Sequence, residues 1–313
     1  MTDRVFIFPG QGSQAVGMGR DLAEASPAAR LVFEEVDDAL SQNLSKLMFE
    51  GPGEDLTLTE NAQPALMAVS MAVVRMLEEG GYALADKCRF VAGHSLGEYS
   101  ALCASGAFTL GDTARLLKAR GKAMQAAVPV GEGSMAALLG ATLVQAEAVV
   151  SDAAGDQVCA IANDNAEGQV VLSGHADAVD RAIQVAQDMG IRRAMKLQVS
   201  APFHCALMQP AADAMAAELA AVPAGNPSVP LIANVTASQV SDGKTIGDLL
   251  VRQVTGLVRW RESMLYAKEQ DAVNLVELGS GKVLATMARR IDPALQAVAV
   301  NTPDDIDKFL GAT

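Results

Sequence analysis

The sequence predicts an α/β protein: a large parallel sheet covered by helices, with a small βαββαβ unit inserted into it. Three observations carry this reading. Apolar strand-length runs alternate with helical stretches at both ends of the chain, the order of elements changes in the middle, and Gly93-His94-Ser95-Leu96-Gly97 stands between a strand-like and a helix-like run. Alternation of strand and helix is the pattern of a parallel sheet. A length of 313 residues, half of them hydrophobic and only 12 of them proline, leaves room for a substantial core and argues against disorder.

The first segment opens with a strand at Val5–Phe8 and the glycine-rich loop Pro9-Gly10-Gln11-Gly12-Ser13-Gln14. Helical patterns cover Leu31–Leu40 and Ala65–Glu79, the second starting just after Pro64, since proline is favoured at a helix start. Strand Phe90–Ala92 then leads through the Gly93–Gly97 turn into a helix-like run at Glu98–Ala107, and Asp112–Ala126 shows helical spacing.

From there the pattern reads strand Ser134–Leu139, helix Leu143–Ala154, strands Val158–Asn163 and Gln169–Ser173, helix Ala176–Met189 and strand Arg193–Val199. That order is the split-βαβ, ferredoxin-like pattern, flanked by the loop-like Pro129–Gly133 and Ser200-Ala201-Pro202. The chain is therefore divided into a large α/β-hydrolase-like domain, residues 1–128 and 200–313, and a small ferredoxin-like subdomain, residues 129–199. After the insertion come helix Ala206–Ala221, a proline-rich loop at Pro223–Pro230, strand Leu231–Val235, helices Ile246–Val254 and Trp260–Lys268, strand Asn274–Leu278, helix Val283–Ile291 and strand Ala297–Val300. The turn Gly279-Ser280-Gly281-Lys282 lacks the full phosphate-loop spacing, which sets nucleoside triphosphates aside.

A net charge of −13 argues against a general nucleic-acid or anionic-membrane binder. The start Met1-Thr2-Asp3-Arg4 does not read as a signal peptide, and the longest apolar stretch, Ala65–Leu77, is too short to span a bilayer. Cys88, Cys103, Cys159 and Cys205 show no metal-ligand spacing, so a reduced, cytoplasmic protein without metal or bound cofactor is expected.

With 27 glycines in the chain the GxSxG string is weakly specific, and the strand and helix around it carry the weight. A serine in that context sits on a nucleophile elbow, its hydroxyl exposed beside a backbone N–H. It needs a base, and the choice is among three histidines. His94 should point away from Ser95 and support the turn, His175 looks like a capping or surface residue, and His204 lies where the chain returns from the insertion and can line a cleft. The N–H of Leu96 supplies one oxyanion donor, and the Gln11-Gly12 loop is the best candidate for a second, although it also reads as an ordinary strand–helix turn. Arg115, Lys118, Arg120 and Lys122 read as a solvated helix face; one arginine turned inward could grip a carboxylate, but periodicity does not say which. Elbow and base are shared with esterases and thioesterases, so a serine hydrolase stands as the rival class.

Taken together, Phe8-Pro9-Gly10-Gln11-Gly12-Ser13-Gln14, Gly93–Tyr99, Arg120–Gln125 and Pro202–Met208 resemble the malonyl-CoA:acyl carrier protein transacylase family of type II fatty acid synthesis. Asn274–Leu284 is similar to the family's C-terminal strand, glycine turn and helix. The resemblance implies a ping-pong transfer of malonyl from coenzyme A through an ester on Ser95 to the phosphopantetheine thiol of acyl carrier protein. It implies His204 as base, the N–H groups of Gln11 and Leu96 as oxyanion donors, and Arg120 as the grip on the malonyl carboxylate. No acid completes the pair in this family; a backbone carbonyl orients the histidine, and Gln253 matches it here. The family usually carries a proline before Val-x-Trp in the next segment, where this chain has Gly256-Leu257. Leu96 and Phe203 match relatives that take malonyl rather than methylmalonyl units, and Arg289-Arg290 match basic positions used for carrier docking. A monomer serving malonyl-CoA and acyl carrier protein, with no nucleic acid or membrane partner, is expected.

Overall fold

In the computed structural model, which describes residues 3–199 and 201–312, the strands gather into a six-stranded and a four-stranded sheet. Met1, Thr2 and Ser200, which the readings of the chain start and of the return loop include, lie outside the described residues, as does Thr313. Along the chain, β1 (Arg4–Phe8) and β2 (Phe90–Gly93) come first. Then follow β3 (Gly133–Leu139), β4 (Cys159–Ala166), β5 (Gln169–His175) and β6 (Arg193–Lys196). The series ends with β7 (Leu231–Ala233), β8 (Ser238–Val240), β9 (Asn274–Leu278) and β10 (Gln296–Val300).

The larger sheet runs β10-β9-β1-β2-β7-β8, parallel except for the antiparallel edge pair β7–β8. Its centre is β1, where Val5-Phe6-Ile7-Phe8 is wholly buried, as befits a strand covered on both faces. Alternate side chains serve opposite layers. Phe6, Phe8, Val91, Leu231 and Val276 face one core with helices Pro27–Leu40, Thr59–Glu79 and Leu110–Ala126. Val5, Ile7, Phe90, Ile232 and Leu275 face a second core built on Trp260, Met264 and Leu284.

The smaller sheet runs β4-β5-β3-β6 with every pairing antiparallel. Helices Leu143–Ala154 and Ala176–Asp188 cover one of its faces around Leu138, Val149, Leu172 and Ala182. The first of these starts where the sequence places it because Thr142 and Gln145 form a reciprocal capping box. The β4–β5 pairing shifts register between Ile161 and Asn163 and between Asp164 and Ala166, and this stretch of β4 meets Val258. There Asp164 N–H donates to the Val258 carbonyl at 3.0 Å and Val258 N–H to the Ala162 carbonyl at 2.9 Å. Arg261 closes on the buried Asp164 carboxylate, Nε lying 3.0 and 2.9 Å from its two oxygens.

The structure corrects several expected boundaries. Pro64 is not at a helix start: the helix begins at Thr59 and Pro64 lies inside it, its missing N–H tolerated one turn in, at the buried end of a long helix. Strand β4 runs on past Asn163 to Ala166 because its bulges carry it, and the strand expected at Arg193–Val199 ends at Lys196. The run Ala206–Ala221 divides into a 3₁₀ turn, Ala206–Met208, and a helix, Gln209–Ala221. Helices Arg20–Ala25, Leu44–Glu50, Gly53–Thr57, Leu84–Lys87 and Pro303–Gly311 are additional, as is the polar edge strand β8. Most are too short to show a periodic apolar stripe. Among the described residues no helix is long and apolar enough to cross a membrane.

The Arg261–Asp164 pair is asymmetric, with side-chain exposures of 22% and 1%. Arg261→Ala strands a buried carboxylate and is expected to destabilise by about 3–5 kcal/mol. Asp164→Asn frees an arginine that can reach water, so it should cost clearly less. Urea midpoints of the two variants measure the difference, and equal losses would contradict the asymmetry.

Candidate active site

The site is built where β1 and β2 end. Gly93 and Gly97 let the chain reverse within four residues: a Cβ on Gly93 would meet the Gly97 carbonyl at 1.9 Å, and one on Gly97 would meet the Phe8 carbonyl oxygen at 2.2 Å. Between them Ser95 adopts φ 54°, the left-handed conformation of a strained elbow. Helix Gly97–Ala104 leads away. Asn234, just after β7, braces the turn by accepting from Ser95 N–H at 2.9 Å and donating to the Gly93 carbonyl at 2.7 Å.

Ser95 Oγ lies 2.8 Å from His204 Nε2, and His204 Nδ1 lies 2.8 Å from the Gln253 carbonyl oxygen. A carbonyl can only accept, so Nδ1 carries the proton and Nε2 keeps its lone pair for the serine hydroxyl. His204 itself has φ 59°, the return loop being bent to deliver the ring. Burial, then the neighbouring Arg120 charge, pushes His204 down to about 3, so the imidazole is neutral.

Arg120 is only 1% exposed and turned inward, not on a solvated face. Its Nη1 donates to Gln63 Oε1 at 2.8 Å; its Nη2 donates to Gln253 Oε1 at 2.8 Å and reaches Ser95 Oγ at 3.2 Å. A signal for this orientation was present in the sequence, because Leu116, Arg120 and Met124 share the i, i+4 stripe of buried residues. Glu98, one turn beyond the serine, is buried as well, and its Oε2 accepts from Gln253 Nε2 at 2.5 Å. Burial raises it to about 7 against the opposing pull of that hydrogen bond.

Gln11, Ser95, Leu96, Arg120, Phe203 and His204 all line one cavity of about 390 Å³. Among the described residues the N–H groups of Gln11 and Leu96 have no protein acceptor. Met135, Ala137 and Val171 of the smaller sheet form the facing wall, so both sheets bound the cavity. Arg289 and Arg290 are exposed at the end of helix Val283–Ile291, and Arg290 donates to the cavity-lining Gln169 at 3.0 Å.

The remaining histidines have other positions. His94 also lines the cavity; its Nε2 pairs with Asn165 Oδ1 at 2.8 Å and its ring leans on Trp260, which ties the elbow to β4. His175 stands at a helix N-cap but its side chain does not cap; Nδ1 accepts from Val158 N–H at 2.9 Å. Sequence reasoning missed Gln63, Glu98, Asn165, Asn234 and the Gln253 side chain.

A strained serine paired with a neutral histidine, on the carboxyl edge of a parallel sheet and beside free N–H donors, defines a protein equipped for acyl transfer through a serine ester. The chain belongs to the acyl transferase domain family, whose pattern matches residues 5–302. The malonyl CoA-acyl carrier protein transacylase of Escherichia coli (strain K12) is 44% identical over 304 residues, 97% of each chain. The crystal structure of the acyl-carrier-protein-S-malonyltransferase from Bartonella henselae is 56% identical, covering 100% of this chain and 99% of that one with a TM-score of 0.97. A malonyl-transacylase in complex with its type II PKS acyl-carrier protein is 39% identical over 99% of both chains, with a TM-score of 0.96.

A base at about 3 remains neutral well below the ordinary imidazole value of 6.5, so lowering the pH does not switch it off until that lower value is approached. The second-order rate of Ser95 acylation should change by less than about twofold from about pH 7 to about pH 5. An unshifted histidine would lose about twentyfold over that range. Rapid quench with mass detection of the serine ester reads the profile.

Proposed function

We propose that this protein is a malonyl-CoA:acyl carrier protein transacylase working by a ping-pong mechanism. The observation that carries the substrate class is Arg120, a buried cation whose Nη2 lies 3.2 Å from the Oγ of a serine paired with a neutral histidine. A guanidinium there is placed to hold a carboxylate two bonds from the carbonyl under attack, which is the shape of a malonyl thioester.

In the first half-reaction His204 Nε2 takes the hydroxyl proton as Ser95 Oγ attacks the thioester carbonyl. The N–H groups of Gln11 and Leu96 hold the oxyanion, and the Gln253 carbonyl steadies the imidazolium through Nδ1. Collapse breaks the C–S bond, and His204 returns its proton to the leaving coenzyme A thiolate. In the second half His204 deprotonates the phosphopantetheine thiol of acyl carrier protein, whose sulfur attacks the malonyl ester. Ser95 then leaves with the proton back on its oxygen. Phe203 lines the same cavity, and its bulky ring is read as crowding an α-methyl, which favours malonyl over methylmalonyl by about 10–200-fold.

The related complex with an acyl-carrier protein supports a carrier as acceptor. Arg289 and Arg290, both exposed and the second hydrogen-bonded to the cavity-lining Gln169, are read as a local basic patch that docks an acidic carrier despite a net charge of −13. Residues 129–199 are read as a ferredoxin-like subdomain inserted into an α/β-hydrolase-like domain of residues 1–128 and 200–313; the strand order β4-β5-β3-β6 supports this. A cytoplasmic monomer completes the reading.

Incubation with malonyl-CoA, digestion and mass spectrometry should find a malonyl group on Ser95 that persists in water and moves to added carrier. Rapid appearance of free malonate would indicate a hydrolase instead. Arg120→Ala should lower malonyl transfer relative to acetyl transfer by about a hundredfold, and equal losses for both donors would refute the carboxylate grip. Charge reversal at Arg289 and Arg290 should raise KM for the carrier by about tenfold at low salt and leave Ser95 acylation unchanged. Unchanged transfer to the carrier would remove these arginines from the docking surface.

A further inference from the structure

Glu98 is a buried acid that the mechanism above does not use. It lies three residues past the nucleophile and is 1% exposed. Among the described residues, the groups that meet the equally buried Arg120 guanidinium directly are neutral: the Gln63 and Gln253 amides, the Ser95 hydroxyl and the Tyr99 ring. An arginine keeps its charge in proteins, and an uncompensated buried cation is costly.

The Gln253 amide joins the two. Its oxygen accepts from Arg120 Nη2 at 2.8 Å while its nitrogen donates to Glu98 Oε2 at 2.5 Å. The amide dipole therefore points its negative end at the cation and its positive end at the carboxylate, the orientation in which each bond strengthens the other. We propose that Glu98 is the resting counter-charge of Arg120, and that it takes up a proton when the carboxylate of a malonyl thioester binds that arginine. The proposal rests on the reading of Arg120 as the carboxylate grip.

The charges gathered in the pocket favour this proton uptake. With Glu98 ionised, the empty site holds one cation and one anion. A bound malonyl group adds a second anion to the same dry pocket, and like charges sharing a buried site drive the more easily protonated one neutral. Glu98 is poised for this, since burial already places it at about 7. The charged group acting on it is Arg120, from helix Leu110–Ala126; Gln253 and the Asn234 N–H, from the elements packed against it, are neutral. Tyr99 on its own helix is held neutral by burial, raised to about 12, and His204 bonds to the Gln253 carbonyl. A protonated carboxyl keeps one oxygen free to accept from Gln253 Nε2, so the geometry survives the change. Acetyl donors bring no charge and leave Glu98 as it was.

The test is calorimetric titration of a Ser95→Ala variant, which binds thioesters without reacting, at about pH 8 in two buffers of different ionisation enthalpy. Malonyl-CoA should bind with uptake of about half to one proton, and acetyl-CoA with none. Malonyl affinity should fall by up to about tenfold per pH unit above about pH 7, because the bound state carries the extra proton. Adding Glu98→Gln should abolish both effects while leaving acetyl-CoA affinity unchanged. Uptake that is absent, that is the same for both thioesters, or that persists in the Glu98→Gln variant would overturn the assignment to Glu98. The reading of Arg120 is judged separately, by affinity: if Arg120→Ala in the same background binds malonyl-CoA undiminished, the grip itself fails.

Discussion

The site depends on how many groups converge on Gln253. Its carbonyl orients the histidine, its amide oxygen meets Arg120, and its amide nitrogen reaches both the Ser95 carbonyl at 2.9 Å and Glu98 at 2.5 Å. This is possible because Gln253 lies in the last turn of helix Gly243–Thr255, where carbonyls lose their intrahelical partners. The Gly256 N–H approaches that carbonyl only at 3.4 Å, which leaves it available to the imidazole. A residue elsewhere in the helix could offer its side chain but not its backbone.

The use of a carbonyl in place of a carboxylate has an electrostatic logic. A buried Asp at Nδ1 would favour the imidazolium, whereas here burial and the Arg120 charge favour the neutral ring. The buried cation beside the serine thus adds to burial in keeping the base unprotonated. Burial and one cation together set the state of the base, and its Nδ1 is held by a carbonyl rather than by an acid.

The order of strands and helices was legible because β/α alternation and the βαββαβ insert each leave periodic apolar runs. Ser95 was legible from the strand and helix that flank its glycines, and His204 from the scarcity of histidines together with its place at a return loop. The Gln11-Gly12 loop was legible from its glycines after the first strand, and the family resemblance supplied Gln253 and the basic pair at Arg289 and Arg290, whose spacing carries no chemical signature. Gln63, Asn165 and Asn234 escaped notice because neutral amides occur everywhere in sequence and acquire a role only when distant segments meet. Arg120 was named by the resemblance, while its residues alone left it among the cations of a helix read as solvated. The apolar stripe through Leu116 and Met124 placed it on the buried face, but its charge and the neighbouring Lys118 and Lys122 suggested solvent. The helix boundary at Pro64 failed because a statistical preference for helix starts yielded to a buried helix long enough to tolerate the lost bond.

The strand order has a consequence for how the molecule comes into being on the ribosome. β1 is flanked by β2 on one side and by β9 on the other, so the central strand has one neighbour from early in the chain and one from near its end. The serine lies 109 residues before its histidine and 158 before the glutamine that organises both. A nascent chain carrying the elbow therefore emerges with a nucleophile that has no base, no oriented arginine and an unfinished sheet. Reactivity arrives only when the last third of the chain docks, which ties the appearance of a reactive serine to completion of the fold.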